Sequence, residues 1–239
     1  MSEAGYLAAF GAGLLFGLSD SLVRAASRRL SPYVNLLISL LVGTPILWLA
    51  VPAIGSTYMG LSALTAYIIA ELLNFVAGRL LFYIAVANLG AATATVATSP
   101  VTALSASLVF ATATIMVRYA AYHGGDPVTG TAVSYTVALS FAALLVIAKK
   151  QQSNLLHLSR EHKYMIAAAI SVALAQLSRY YSLTELSVAN AVVLIGLFPL
   201  HTVAFTAIMK HSTEEKPGKR HVIAAIIAIV AIMLVTRGK

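Results

Sequence analysis

The 239 residues include no cysteine. That excludes disulfides, thiolate metal ligands and a cysteine nucleophile, and leaves the redox compartment unread. Charge is scarce as well: Asp, Glu, Lys and Arg make up 10% of the chain against 59% hydrophobic residues. A soluble domain of this length has too little interior to bury so much apolar surface. Enzyme signatures are missing too: there is no His-Glu-x-x-His, no phosphate-cradling glycine loop and no serine, histidine and aspartate set. Neither an enzymatic role nor a cofactor is therefore expected. The N-terminus lacks basic residues, and its first apolar stretch is longer than a signal core, so that stretch is expected to remain as a helix.

What the chain does have is long apolar stretches separated by short polar joints. A bilayer core takes about 20 apolar residues of helix to cross, since each residue rises about 1.5 Å and every backbone polar group must be paired internally. Eight stretches meet that demand: Gly5 to Ala26, Tyr33 to Ile54, Leu61 to Ala87, Ala91 to Ala121, Val128 to Ala148, Tyr164 to Thr184, Ser187 to Met209 and Val222 to Val235. The fold class that follows is all-α, a polytopic transmembrane helix bundle of about eight helices, integral to the cell membrane.

The net charge of +8 does not point to nucleic acid, because the basic residues lie at helix ends and not on one folded face. Anionic lipid headgroups suit them better. The joints after the first, third, fifth and seventh stretches carry Arg24, Arg28, Arg29, Lys149, Lys150, Arg160, Lys163, Lys210, Lys216, Lys219 and Arg220, while the other side has Arg118, Arg237 and Lys239. Eleven against three makes the first side cytoplasmic and places both termini outside. The longest polar joint, Lys149 to Lys163, reads as a solvated connector.

The chain also repeats itself. Gly13 to Pro32 is echoed at Ala106 to Pro127, each ending an apolar helix on Val-Arg and turning at a proline. The region up to Ser99-Pro100 is echoed by the region up to Phe198-Pro199, where an aromatic helix end (Phe82-Tyr83, Tyr180-Tyr181) precedes a short joint and a proline-bearing helix. Such repeats mark carriers built from two halves. Through GRLLFYIAVANLGAATATVATSPVTALSASLVF and LSRYYSLTELSVANAVVLIGLFPLHTVAFTAIMKHSTEEKPGKRHVIAAIIAIVAIMLV, the sequence resembles the drug/metabolite transporter superfamily, specifically its EamA-type members. The resemblance implies two inverted five-helix repeats, usually with cytoplasmic termini. This chain departs from that plan on both counts. After Pro100 the end of the fourth helix and the whole fifth are absent, which leaves a shortened first repeat, 1–102, and a second, 103–239. The merged stretch from Ala91 to Ala121 would be about 46 Å long against a core of about 30 Å, so it must tilt, protrude or break near Pro100. Losing two crossings preserves the direction of every later helix. On orientation the charge count is followed here.

Ionisable groups inside a bilayer are costly and face a cavity or a partner. Asp20 and Arg24 lie one turn apart and are expected to form an ion pair, structural in its simplest reading. Glu71 falls near mid-membrane, with Asn74 and Arg79 following on the same helix. Arg79 and Arg179 hold nearly equivalent places on the third helix of each repeat, where two guanidiniums would suit a carboxylate or phosphate. The alternative is that each satisfies a helix carbonyl or Glu71. Thr95, Thr98, Thr102, Ser105 and Thr112 form a hydroxyl stripe that favours close helix packing over cavity lining. Tyr83, Tyr180 and Tyr181 could stack on a solute or anchor at the interface. Asn190 and His201 complete the candidate substrate contacts. No metal set is present.

The resulting expectation is a secondary transporter of a small metabolite, anionic if the arginines bind it, working by alternating access through a central polar cavity. The alternative is a structural or accessory membrane subunit that kept the fold and lost transport. A membrane enzyme or lipid-handling protein has only the basic joints in its favour. Membrane lipid is an expected partner, and a homodimer is one way to cover the flank left by the missing helix.

Overall fold

The computed structural model describes residues 3–54, 59–97, 112, 115–117, 119–120, 122–156 and 159–237. Among these there is no strand. Helix α1 runs over Glu3–Ala26 and α2 over Pro32–Ile54; α3 (Leu61–Glu71) passes through a π-helical segment, Leu72–Arg79, into α4 (Leu80–Leu89). After Gly90 comes α5 (Ala91–Ala97), then α6 (Pro127–Ala148), α7 (Arg160–Glu185), α8 (Val188–Ile195), α9 (Phe198–Ile208) and α10 (Lys219–Arg237). Among the described residues, five helical stretches are long and apolar enough to cross a membrane, namely α1, α2, α3 through α4, α6 and the stretch Asn190–Ile208. The protein is an all-α polytopic helix bundle.

The helix starts are set by local chemistry. Asp126 accepts the Thr129 amide at 2.6 Å and Pro127 occupies the first turn of α6, where no N–H is needed. Ser159 and His162 form a reciprocal box at the start of α7. Ser187 caps α8 by accepting the Asn190 amide. Hydroxyls inside the helices fold back on the carbonyl four residues earlier, as at Thr44, Thr95, Thr131, Ser134 and Ser171. That is how a hydroxyl is satisfied where water is absent.

Helix α7 carries Arg160, Glu161, Lys163, Arg179 and Glu185, which dilute its hydropathy. It nevertheless lies along the whole of α1 in the opposite direction: Gly5 abuts Glu185 at one end, and Arg29 pairs with Glu161 at the other. Whatever α1 crosses, α7 crosses too. Helix α2 packs on α6 and also on α7, and α6 packs on α3 and the π segment. The main core fills the space between α1, α2, α4, α6 and α7 with residues such as Val23, Leu36, Leu40, Phe75, Tyr83, Tyr135 and Met165.

Two stretches read as single crossings differ in detail. The third changes hydrogen-bond pattern over Leu72–Arg79, and the seventh breaks at Gly196-Leu197, where Gly196 closes α8 on the Val192 carbonyl before Pro199 opens α9. The length and possible break of the merged stretch at Pro100, together with Thr98, Thr102, Ser105 and Arg118, lie outside the described residues.

Candidate functional site

Of the charges inside the bundle, Arg79 ends the π segment and Asp20 acts on it from α1. Widening a helix by one residue per turn leaves part of its backbone poorly packed, a geometry found often at functional sites. Here it buries Asn74, Phe75 and Gly78 and ends on Arg79. Four-residue spacing then stacks Phe75, Arg79 and Tyr83 along one face. The Arg79 guanidinium lies 5.2 Å from the Phe75 ring centre and 5.8 Å from that of Tyr83, and it donates to the Tyr83 hydroxyl at 3.4 Å. Tyr83 donates in turn to Ser39 on α2 at 3.4 Å. Tyr135 on α6 meets Phe75 edge to face at 4.3 Å.

The opposing charge comes from α1. Asp20 is 6% exposed, accepts from the Thr202 hydroxyl of α9 at 3.3 Å, and stands within electrostatic reach of Arg79. Its approach depends on glycine. Gly13 and Gly17 form a G-x-x-x-G face, and a side chain at Gly17 would meet the Thr202 nitrogen at 2.7 Å. One residue on, Ser21 shares a hydrogen bond with Thr206 at 2.9 Å and donates to the Thr202 carbonyl. The cluster therefore draws on α1, α2, the π segment and α4 from the first half and on α6 and α9 from the second. Arg79 and Asp20 lie in a low-dielectric interior flanked by hydroxyls and aromatic faces, where an ionisable side chain calls for a polar partner.

The other expected site residues are distributed differently. Arg79, Tyr83 and Asn74 lie in or next to the cluster. Arg179 sits instead over the Tyr180 ring at 5.9 Å, and Tyr180 packs with Ala63, Tyr67, Val117 and Ala120 in a separate core. Tyr181 is 46% exposed. Asn190 reaches from the first turn of α8 to the Tyr6 hydroxyl at 3.4 Å. His201 packs edge to face on Phe10 at 5.3 Å, and its buried Nδ1 has no hydrogen-bond partner. The Glu71 side chain lies outside the described part of the structure.

One expectation is overturned. Arg24 does not pair with Asp20. Its Nε pairs with Glu215 at 2.9 Å, and its Nη1 donates to the Val86 and Ala87 carbonyls at 3.1 and 2.9 Å. The last carbonyls of α4 take hydrogen bonds from Nη1 while the Glu215 carboxylate balances the charge, two favourable contacts near the membrane edge against one buried acid.

Sequence reasoning missed Phe75, Tyr135, Thr202, Ser39 and Glu215. The spacing of Phe75, Arg79 and Tyr83 was a usable signal, as was Gly13-x-x-x-Gly17. Nothing local marks Thr202 or Glu215. Two hollows are also present, one of about 250 Å³ lined by Trp48, Met59, Leu64 and Val133 and one of about 480 Å³ lined by Leu61, Ile69, Met116 and Tyr119. Both are mostly apolar, and neither is lined by the charged cluster. Among the described residues no group of His, Asp and Glu is placed to hold a metal.

Membrane-spanning helices that hold an arginine and an aspartate among hydroxyls define a polytopic membrane protein with polar groups in its interior, the class to which solute carriers belong. The family model of EamA-like transporters matches residues 99–237, which is 139 of the 239 residues, and the chain belongs to that family. It is therefore a membrane transporter of the drug/metabolite type. No curated protein matches the chain, and no solved structure does.

Proposed function

We propose that the protein is a secondary transporter that moves a small metabolite bearing a carboxylate or phosphate by alternating access, with Arg79 and Asp20 at the binding centre. The observation that carries this reading is Arg79 lying against Phe75 and Tyr83, with the buried Asp20, which accepts from Thr202, within electrostatic reach of it. Opening the bundle on either side of α1 and α9 would expose that pair to water. Solute binding would replace Asp20 as the partner of the guanidinium, so that neither charge is stranded in lipid. No nucleotide-binding motif occurs in the chain, which supports coupling to a gradient. The equivalent position of Arg179 makes it a second contact in the same proposal.

The proposal places the basic end in the cytoplasm of a plasma-membrane protein, with outward side chains such as Leu49, Leu81, Leu144 and Ile208 against lipid. A homodimer would cover the flank of the missing helix. The second reading, an accessory subunit without transport, draws on the aromatic rings packed over Arg79. Reconstitution separates the two. Arg79→Ala is expected to abolish uptake of organic acids or phosphates into proteoliposomes while the protein stays folded, and Arg179→Ala to impair it. Undiminished transport by Arg79→Ala would refute the assignment.

A further inference from the structure

The three ion pairs described all lie at the basic end of the bundle. Arg29 faces Glu161, Arg28 pairs with Glu214, and Arg24 pairs with Glu215. The last of these does more than join two side chains. The Glu215 oxygens accept the first free amides of the helix that begins at Ala91, from Ala91 N at 2.6 Å and Ala92 N at 3.2 Å. The Arg24 guanidinium donates to the last carbonyls of α4. Each charge thus meets the helix end of opposite partial charge, on either side of Gly90. Gly90 holds φ +89, and a Cβ there would lie 2.6 Å from the Glu215 Cδ. The carboxylate can reach those amides only over a glycine.

We infer that Arg24, Glu215 and the Gly90 turn form a latch that closes the basic end of the carrier, and that this end opens when Glu215 leaves the Ala91 amides. The latch joins α1 and the α4 to α5 turn of the first half to the segment between α9 and α10 of the second. Directly beneath it, one turn toward the charged cluster, Ser21 and Thr206 are fully buried. With the latch closed, these two hydroxyls are out of reach of water. With it open, both would be wetted. The inference rests on the alternating-access reading for its purpose, but its geometry does not depend on which solute is carried.

The latch also differs from an ordinary ion pair. Its polarity is fixed by the two helix ends, so exchanging the charges would point a carboxylate at carbonyls and a guanidinium at amides. A charge swap should therefore fail to rescue it.

The absence of cysteine makes the test clean. Ser21→Cys, or Thr206→Cys if the first does not fold, is introduced as a probe beneath the latch in protein held in nanodiscs. Ala9→Cys, fully buried toward the opposite end, serves as the control. Reaction with a membrane-impermeant maleimide is then timed. Glu215→Gln is expected to speed labelling of the probe by at least about tenfold, a shift in the open population that needs only a modest bias. Labelling of the control should not change. The double variant Arg24→Glu/Glu215→Arg should label as fast as Glu215→Gln. An unchanged rate at the probe, an equal rise at probe and control, or restored protection in the double variant would each overturn the latch. No solute enters the assay, so the latch can fail while Arg79→Ala still abolishes transport, and the reverse holds as well.

Discussion

Replacing Arg79 by methionine keeps most of the side-chain volume and removes its charge. The perturbation is then borne by Asp20, which is 6% exposed and left with the Thr202 hydroxyl as its described hydrogen-bond partner. Breaking a buried pair from one side typically costs about 3–5 kcal/mol. The contacts of the guanidinium with Phe75 and Tyr83 add about 0.5–2 kcal/mol. Asp20→Asn should be as damaging, since it strands the cation. The double variant Asp20→Asn/Arg79→Met leaves no charge behind and should recover to within about 1 kcal/mol of the wild type, which with each single variant costing about 3–5 kcal/mol is a coupling of about 5 kcal/mol or more. Unfolding of the purified protein in a denaturant titration measures all four corners, and transport in proteoliposomes is assayed on the same samples. Transport should be lost in all three variants, the stable double variant included. Additive stability losses would show that the two charges do not share a site. Wild-type transport by the double variant would show that the pair is structural only.

Three further outcomes follow from individual contacts. Gly17→Ala should cost about 1–3 kcal/mol, because its Cβ would meet the Thr202 nitrogen at 2.7 Å and the His201 carbonyl carbon at 2.8 Å, and backbone cannot swing aside; Gly11→Ala, with nothing near, should be neutral, and melting temperatures compare the two. Gly90→Ala should destabilise by about 1 kcal/mol or more through its positive φ alone, with the Glu215 clash in addition, again read from melting. The Ser159 hydrogen bond, with a smaller contribution from Arg29, holds the Glu161 carboxyl below the usual glutamate range. A depressed folded-state value stabilises the protein above the ordinary glutamate pKa, and that stabilisation is lost as pH falls through the folded value. The melting gap between wild type and Glu161→Gln should therefore be open at pH 7 and close as pH falls below the ordinary glutamate range; a gap that persists once the carboxyl is protonated would refute the carboxylate's role.

Much of the fold could be read along the chain because a bilayer imposes a one-dimensional rule. Length and apolarity bound each crossing, so the starts and ends of α1, α2 and α6 fall within about two residues of those expected. The rule is blind to hydrogen-bond pattern, and so the π segment before Arg79 and the break at Gly196 were invisible. It counts α7 by its apolar middle, Tyr164 to Thr184, and misses that the helix extends to Arg160 and Glu185, polar ends that lie against α1 and the turn after it. The site was legible only where one helix carries the signal. Arg79, Asn74 and Tyr83 share a helix and could be listed together, whereas Tyr135 and Thr202 reach the cluster from α6 and α9. Arg24 shows the same limit from the other side: its nearest acid in sequence is Asp20, but its partner is Glu215, nearly two hundred residues away.

The amino-acid order alone determined that the chain lives in a membrane, roughly where each helix crosses and which few charges must be accounted for, because transfer free energy acts on each segment separately. Only the tertiary structure decided how those charges are matched. Pairing depends on which helix faces glycine, which carbonyls end beside which amides, and how a widened turn aims one guanidinium. Those are properties of helices in contact, and no single helix contains them.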